Sequence, residues 1–262
     1  MALFWFGLAL KVVMTSTIVV AASLVVERSG PFVGSLIASL PTAGGAALII
    51  LAIEHTPAFI AAGAVGGMVS NALVAIFALT YATLAQRRSL LVSLGLAYLV
   101  WFICAALSRL VDWNVTSAAL LNLVVFPAAI YAGRHFRAEG TVKRVTFTGA
   151  DLAWRAGIVT LCVVVVTALS SLIGSFASGL FAFFPVAMGS YFVILHPRIG
   201  GPATASVAAH VQAPLIGLGL SLMAVNFLSE PIGVWWSYAV GLSIGLGWNA
   251  LLWGLRNWRA RG

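Results

Sequence analysis

Residues 39–46 read SLPTAGGA and residues 183–190 read FFPVAMGS, so each segment places a proline and a following glycine inside a long apolar run. The two prolines, Pro41 and Pro185, are 144 residues apart, and many flanking residues are identical at the same offset. The register continues without a gap through most of both segments. It predicts an internal duplication of the chain.

The composition around these segments is that of a membrane protein. Of 262 residues, 62% are hydrophobic and 8% are charged, which excludes an ordinary soluble domain. The net charge of +8 comes from scattered cations, and this argues against a nucleic-acid surface. Cys104 and Cys162 lie in apolar runs, so the sequence predicts neither a disulfide framework nor a metal site.

Runs of about 20 apolar residues are long enough to cross a bilayer as helices. Breaks between these runs predict an all-α polytopic protein with nine transmembrane helices, at about 3–26, 31–53, 57–85, 89–109, 115–133, 152–171, 176–196, 202–228 and 231–254.

The cations are distributed unequally between the two ends of these spans. A nine-span arrangement puts almost all of them on one side, whereas Arg109 is on the other side with Glu54, Asp112 and Glu230. Because cytoplasmic loops retain Lys and Arg, the N-terminus is expected outside and the C-terminus in the cytoplasm. The expected location is a bacterial-type inner (plasma) membrane.

The duplication divides the chain into four parts. Residues 3–109 form repeat one, 110–150 a linker span with a basic cytoplasmic segment, 151–254 repeat two, and 255–262 a basic cytoplasmic tail. Equivalent spans differ by five, an odd number, so the repeats must enter the membrane in opposite orientations. Two inverted four-helix repeats joined by a central helix are typical of secondary transporters.

The repeated prolines lie near the middle of their spans, which predicts broken helices at Pro41 and Pro185. Paired breaks in corresponding spans indicate a transporter site, although two inert kinks would leave the same pattern. The neighbouring residues expected to bind substrate are Thr42, Gly44, Gly45, Gly189 and Ser190.

Two cations inside the spans, Lys11 and Arg155, also coincide at the offset of 144. No carboxylate is expected at a similar depth, so the substrate is predicted to be the counter-ion, unless both side chains snorkel to the headgroups. Together with helix N-termini after the prolines, these cations favour a small organic anion such as a carboxylate.

Polar residues in spans three and eight also coincide, and they are expected to line the same cavity: Ser70, Asn71, His210 and Gln212. His210 is a candidate for a coupling proton or, alternatively, a structural histidine. Sodium held by backbone carbonyls is the other candidate coupling ion.

Motifs for catalysis are absent from the sequence: it has no G-x-S-x-G, H-E-x-x-H or P-loop. We therefore expect no catalytic residues, no metal, no cofactor and no enzymatic activity. The expected partners are a small anionic substrate and membrane lipid, with no nucleic acid, and homo-oligomerisation stays open.

The first half resembles the GlpM-like family of small inner-membrane proteins. The resemblance rests on the lysine early in span one, Lys11, on the basic turn VVERSGPF (25–32), and on GSLIASLPTAGGA (34–46). It implies an inner-membrane protein of four-span units. The second half resembles a diverged inverted copy, in which Val186 replaces the threonine of the Pro-Thr step.

The leading prediction is a secondary transporter that binds a small organic anion near the midplane, between the two repeats. Two other functions stay open at this point. One is a non-transporting scaffold or regulatory subunit, and the other is a flippase for a lipid or lipid-linked carrier.

Overall fold

A computed structural model describes residues 12, 13, 15–17, 20, 21, 42–137 and 148–259, and the described residues form helices and no strands. Residues 12–21 are helical wherever they are described. The helices that follow are α1 (Thr42–Glu54), α2 (Pro57–Leu84), α3 (Leu90–Ser108), α4 (Val115–Gly133), a 3-10 turn (Arg134–Phe136), α5 (Gly149–Ala182), α6 (Val186–Ile199), α7 (Gly201–His210), α8 (Gln212–Ile232) and α9 (Val234–Arg259).

Six helical stretches of the described residues are long and apolar enough to cross a membrane, against the nine spans predicted. The difference has two sources. Most of the first predicted span and the first part of the second lie outside the described residues, and predicted spans six and seven form one helical stretch, Gly149–Ile199. The chain is thus all-helical and compatible with a multi-pass membrane protein.

Helix α2 lies at the centre of the bundle. In its most apolar stretch, 83% of the residues are buried. The helix contacts α3, α4, α5, α7 and α8. Its sequence is rich in Ala and Gly, which lets neighbouring helices approach closely. Helix α9, by contrast, is 6% buried over its most apolar stretch and packs chiefly on α8, so it lies at the edge.

Two bends divide the long helical stretches. Gly174, within α5, has φ 79° and ψ 173°, a backbone conformation that only glycine adopts without strain. Gly200, between α6 and α7, has φ 83°. The sequence predicted a boundary between spans near Gly174, and the structure has a bend without a loop there.

Candidate functional site

The predicted break at Pro185 is confirmed. Helix α5 ends at Ala182, and α6 begins at Val186 with Pro185 as its N-cap residue. Pro41 lies outside the described residues, and the described part of α1 is Thr42–Glu54, so the break at Pro41 stays a prediction.

The first turn of α1 lies against this break. A Cβ added to Gly44 would approach Cδ1 of the Phe183 ring to 2.7 Å, so the glycine is what permits the contact. Two of the predicted site elements, Gly44 and the break at Pro185, therefore lie side by side.

Aromatic side chains surround the second half of the break. The Tyr98 hydroxyl donates a hydrogen bond to the Pro185 carbonyl oxygen at 3.3 Å, and a Cβ on Gly189 would overlap that hydroxyl. Ser190 is buried, and its hydroxyl donates to the Ala187 carbonyl at 2.8 Å. Gly189 and Ser190 thus pack against α3 and within their own helix.

We call one set of rings on α2, α3 and α6 the aromatic cluster, which consists of Phe77 and Tyr81 of α2, Tyr98 and Trp101 of α3, and Phe192 of α6. Phe184, in the break itself, packs on Tyr98 and Trp101 with ring centroids 5.3 and 4.9 Å apart. Ring centroids are 4.1 Å apart for Tyr81 and Phe192 and 4.9 Å apart for Phe77 and Tyr98. All but Tyr98 are 0% exposed. The cluster fills the space between α2, α3 and α6.

Three amide side chains bind α2, α4 and α8 together, and we call them the amide seam: Asn71, Asn122 and Gln212. Asn71 Nδ2 donates to Asn122 Oδ1 at 3.1 Å and to the Leu215 carbonyl at 3.0 Å. Gln212 Nε2 donates to the Ala75 carbonyl at 3.0 Å. Asn71 and Gln212 therefore both lie at the α2–α8 interface, where they donate to backbone carbonyls, and their lining of a cavity stays a prediction.

Sequence reasoning missed the third member, Asn122. Its Nδ2 donates to the carbonyls of Met68 and Ala118, both at 2.8 Å. The signal that could have found it is an asparagine in the middle of an otherwise apolar span, because amides in lipid need partners.

Some acceptors near the seam lack donors. Among the described residues, nothing donates to Asn71 Oδ1 or Gln212 Oε1, and the Ser70 hydroxyl has no partner. All three residues are at most 1% exposed. A buried acceptor without a donor is costly, so these atoms favour a donor-bearing group or water beside the seam.

Arg155 lies elsewhere, in the second turn of α5, and faces the first half of α6. It is 7% exposed, and its guanidinium carbon is 5.1 Å from the centroid of the Tyr191 ring. Asp151, four residues earlier, pairs with Arg198 at 2.6 Å and interacts electrostatically with Arg155. A carboxylate is therefore closer to Arg155 than the sequence predicted. Lys11 lies outside the described residues.

His210 is separate from the amide seam. Its Nδ1 donates to the Ser206 carbonyl at 2.8 Å, and Arg137 donates to the neighbouring Ala209 carbonyl at 3.5 Å. Burial lowers the pKa of Arg137 from its ordinary value. This arrangement gives His210 a structural partner within α7.

A cavity of about 200 Å³ lies between α1, α8 and α9. Gly45 is the one predicted site residue on its wall. Its other walls are mostly apolar, with polar groups from Ser221, Tyr238 and Asn249. The Tyr238 hydroxyl donates to the Leu48 carbonyl at 3.0 Å, so this ring is fixed in place. We call this space the α1–α8–α9 cavity.

A wider groove of about 750 Å³ lies between the end of α3, the loop after it and the bend of α5. Phe102 and Phe176 contribute to its apolar walls, and Arg109 and Asp112 supply charges. Within the described residues, no three His, Cys, Asp or Glu side chains lie close enough to hold a metal ion.

Comparison with known proteins adds no assignment to this geometry. No protein-family model, no curated protein and no solved structure matches the chain.

Proposed function

We propose that this protein is a secondary transporter of a small organic anion, built from two inverted repeats and working by alternating access. The observation that carries the proposal is the agreement between helix starts. Helices α2 and α3 begin at Pro57 and Leu90, and α7 and α9 begin at Gly201 and Val234. Each pair of starts differs by the 144 residues that relate Pro41 to Pro185.

Contacts between equivalent residues support the inverted orientation. Ser16 and Thr160 are 144 residues apart, and their hydroxyl oxygens are 3.1 Å apart. Asn71 and Leu215, also 144 apart, are joined by the 3.0 Å hydrogen bond described above. Residues related by a two-fold axis contact each other only next to that axis.

The relative direction of α2 and α8 also supports the inverted orientation of the two repeats. Ala61 of α2 accepts a hydrogen bond from Asn226, whereas Ala75, further along α2, accepts one from Gln212, which comes earlier in α8. Equivalent helices are thus antiparallel where they cross. A two-fold axis in the membrane plane relates inverted repeats in this way, and rocking of one repeat against the other gives alternating access.

The charge of the proposed substrate rests on Arg155 and on the break at Pro185. A 7% exposed guanidinium within an apolar helix is expensive in lipid, and such residues usually mark a substrate or ion pathway. Helix N-termini inside a membrane protein also favour anions. We propose location in a bacterial-type inner membrane, with the N-terminus outside, and coupling to protons or sodium.

The test is binding and uptake of carboxylates by purified protein in proteoliposomes. We expect saturable uptake of at least one carboxylate class, retained in Arg155→Lys and lost in Arg155→Gln. The matched control is Arg134→Gln, because Arg134 is exposed and lies 4.0 Å above the Tyr131 ring, outside the bundle. Equal uptake in Arg155→Gln and the parent, or uptake of amines alone, would contradict the proposal.

A lipid or lipid-carrier flippase is the second candidate. The groove of about 750 Å³ between the end of α3 and the bend of α5 combines apolar walls with the charges of Arg109 and Asp112. An amphipathic molecule requires a site of this form. Transbilayer movement of a labelled phospholipid, without carboxylate uptake, would favour it. Co-purification with a stoichiometric membrane partner and no transport would instead favour a scaffold subunit.

A further inference from the structure

The α1–α8–α9 cavity and the aromatic cluster occupy corresponding places in the two halves of the chain. Cavity-lining Ser221 and Val225 of α8 lie 144 residues after Phe77 and Tyr81. Both of these α2 rings are 0% exposed and belong to the aromatic cluster. Where α2 carries two rings, α8 carries a hydroxymethyl and an isopropyl group.

The same replacement of aromatic by non-aromatic residues holds on the wall formed by α9. Leu242 and Gly245 of α9 correspond to Tyr98 and Trp101 of α3 at the same offset. Gly245 carries no side chain where the other half has an indole ring, and a Cβ there would lie 3.0 Å from the Ser221 hydroxyl oxygen.

On the third wall, Leu48 of α1 corresponds to Phe192 of α6. Every member of the aromatic cluster thus has a non-aromatic counterpart on the cavity wall. At the positions that correspond to the five rings of the aromatic cluster, the cavity wall carries non-aromatic residues.

Both the size and the lining of the cavity suit a ring. A dry cavity of about 150 Å³ lined by apolar side chains binds benzene, and this one measures about 200 Å³. Apolar walls of this kind offer dispersion contacts to a fitting apolar ligand. The side chain of Asn249 on the same wall has Oδ1 buried and without a donor among the described residues.

We propose that the α1–α8–α9 cavity binds a single aromatic ring of a small molecule, in the place that the aromatic cluster fills in the other half. The correspondence rests on the proposed inverted repeat. If the transport function also holds, the substrate class narrows to small aromatic carboxylates, with the ring in this cavity.

The experiment measures equilibrium binding of two probes, benzoate and indole, to the purified full-length protein in detergent. The cavity-filling variant is Leu218→Trp, since Leu218 lines the cavity. Its matched control is Leu220→Trp on the same helix, because Leu220 is 36% exposed and does not line the cavity. We expect both probes to bind the parent and the control, and to bind Leu218→Trp at least tenfold more weakly.

A second variant keeps the test independent of one substitution. Leu48→Phe introduces the ring found at Phe192, and Ile53→Phe on the exposed side of α1 is its control. The unfolding midpoints of Leu218→Trp and Leu48→Phe should equal or exceed that of the parent. A loss of binding in these variants is then not caused by misfolding. Equal binding in filled and control variants, or no binding of either probe to the parent, overturns the proposal.

The two proposals fail differently. Acetate uptake that depends on Arg155, without cavity-dependent binding of either ring, overturns the pocket and keeps anion transport. Indole binding that is lost in Leu218→Trp, with no uptake of any carboxylate, supports the pocket and overturns anion transport.

Discussion

At the residue scale, glycines set the spacing between α2 and α5. A Cβ on Gly66 would overlap the Phe176 carbonyl oxygen, and a Cβ on Gly179 would overlap the Gly63 carbonyl oxygen. The obstacle in both cases is backbone, which cannot rotate away. Gly63 and Gly66 stand in a Gly- and Ala-rich stretch that is typical of close helix packing, but Gly179 becomes recognisable only once its partner helix is known.

Substitution of Gly179 should therefore separate two helices. We expect Gly179→Ala to lower the free energy of unfolding by about 1–3 kcal/mol, the usual cost of overpacking. Gly157→Ala on the same helix is the control, because a Cβ there meets nothing within 4 Å and alanine favours helix. The measurement is unfolding by a denaturing detergent, and equal midpoints for the two variants would contradict the close approach.

The amide seam makes a prediction about coupling between side chains. Asn71 donates to Asn122 within the bundle, and hydrogen bonds between membrane helices contribute about 0.6 kcal/mol on average. A double-mutant cycle of Asn71→Leu and Asn122→Leu should give a coupling energy of about that size. Additive effects of the two substitutions would show that the side chains do not interact in the membrane.

At the element scale, helix starts were easier to predict than bends. Thr56 caps α2, whose first residue is Pro57, and both are recognised starting signals. The sequence does not distinguish a bend at Gly174 from a loop, because the residues on both sides of it are equally apolar. The hydropathy of a segment indicates whether it lies in lipid, but it does not indicate where the chain changes direction.

The beginning of α5 depends on one carboxylate. Asp151 accepts hydrogen bonds from the Thr148 backbone N–H at 2.7 Å and from its hydroxyl at 2.8 Å, and it also pairs with Arg198 of α6. We expect Asp151→Ala to cost about 1 kcal/mol, as loss of a helix cap does.

The partly exposed ion pair adds little to this cost. Arg198→Gln, which removes the pair and leaves the cap, should therefore be milder than Asp151→Ala in the same detergent-unfolding measurement. A larger effect of Arg198→Gln would show that the ion pair, and not the cap, holds this end of α5.

At the scale of the whole molecule, the sequence predicted the all-helical membrane architecture and the break at Pro185. It did not predict the α1–α8–α9 cavity. A cavity depends on which small residues from distant helices meet, and Gly245 and Ser221 are 24 positions apart. For the same reason Arg155 and the pair Asn71 and Gln212, all assigned to one site from sequence, lie in different parts of the bundle.

The inverted relation of the two halves is the central claim, and cysteine labelling tests it most directly. Ser89 and Ile232 precede α3 and α9, whose starts are equivalent; Ser89 makes no side-chain cap bond, and Ile232 is 44% exposed. Single cysteines are placed there after Cys104→Ser and Cys162→Ser, and treated with a membrane-impermeant maleimide. The account predicts that Ile232→Cys is labelled in intact cells and Ser89→Cys only after permeabilisation. Labelling of both from the same side would contradict it.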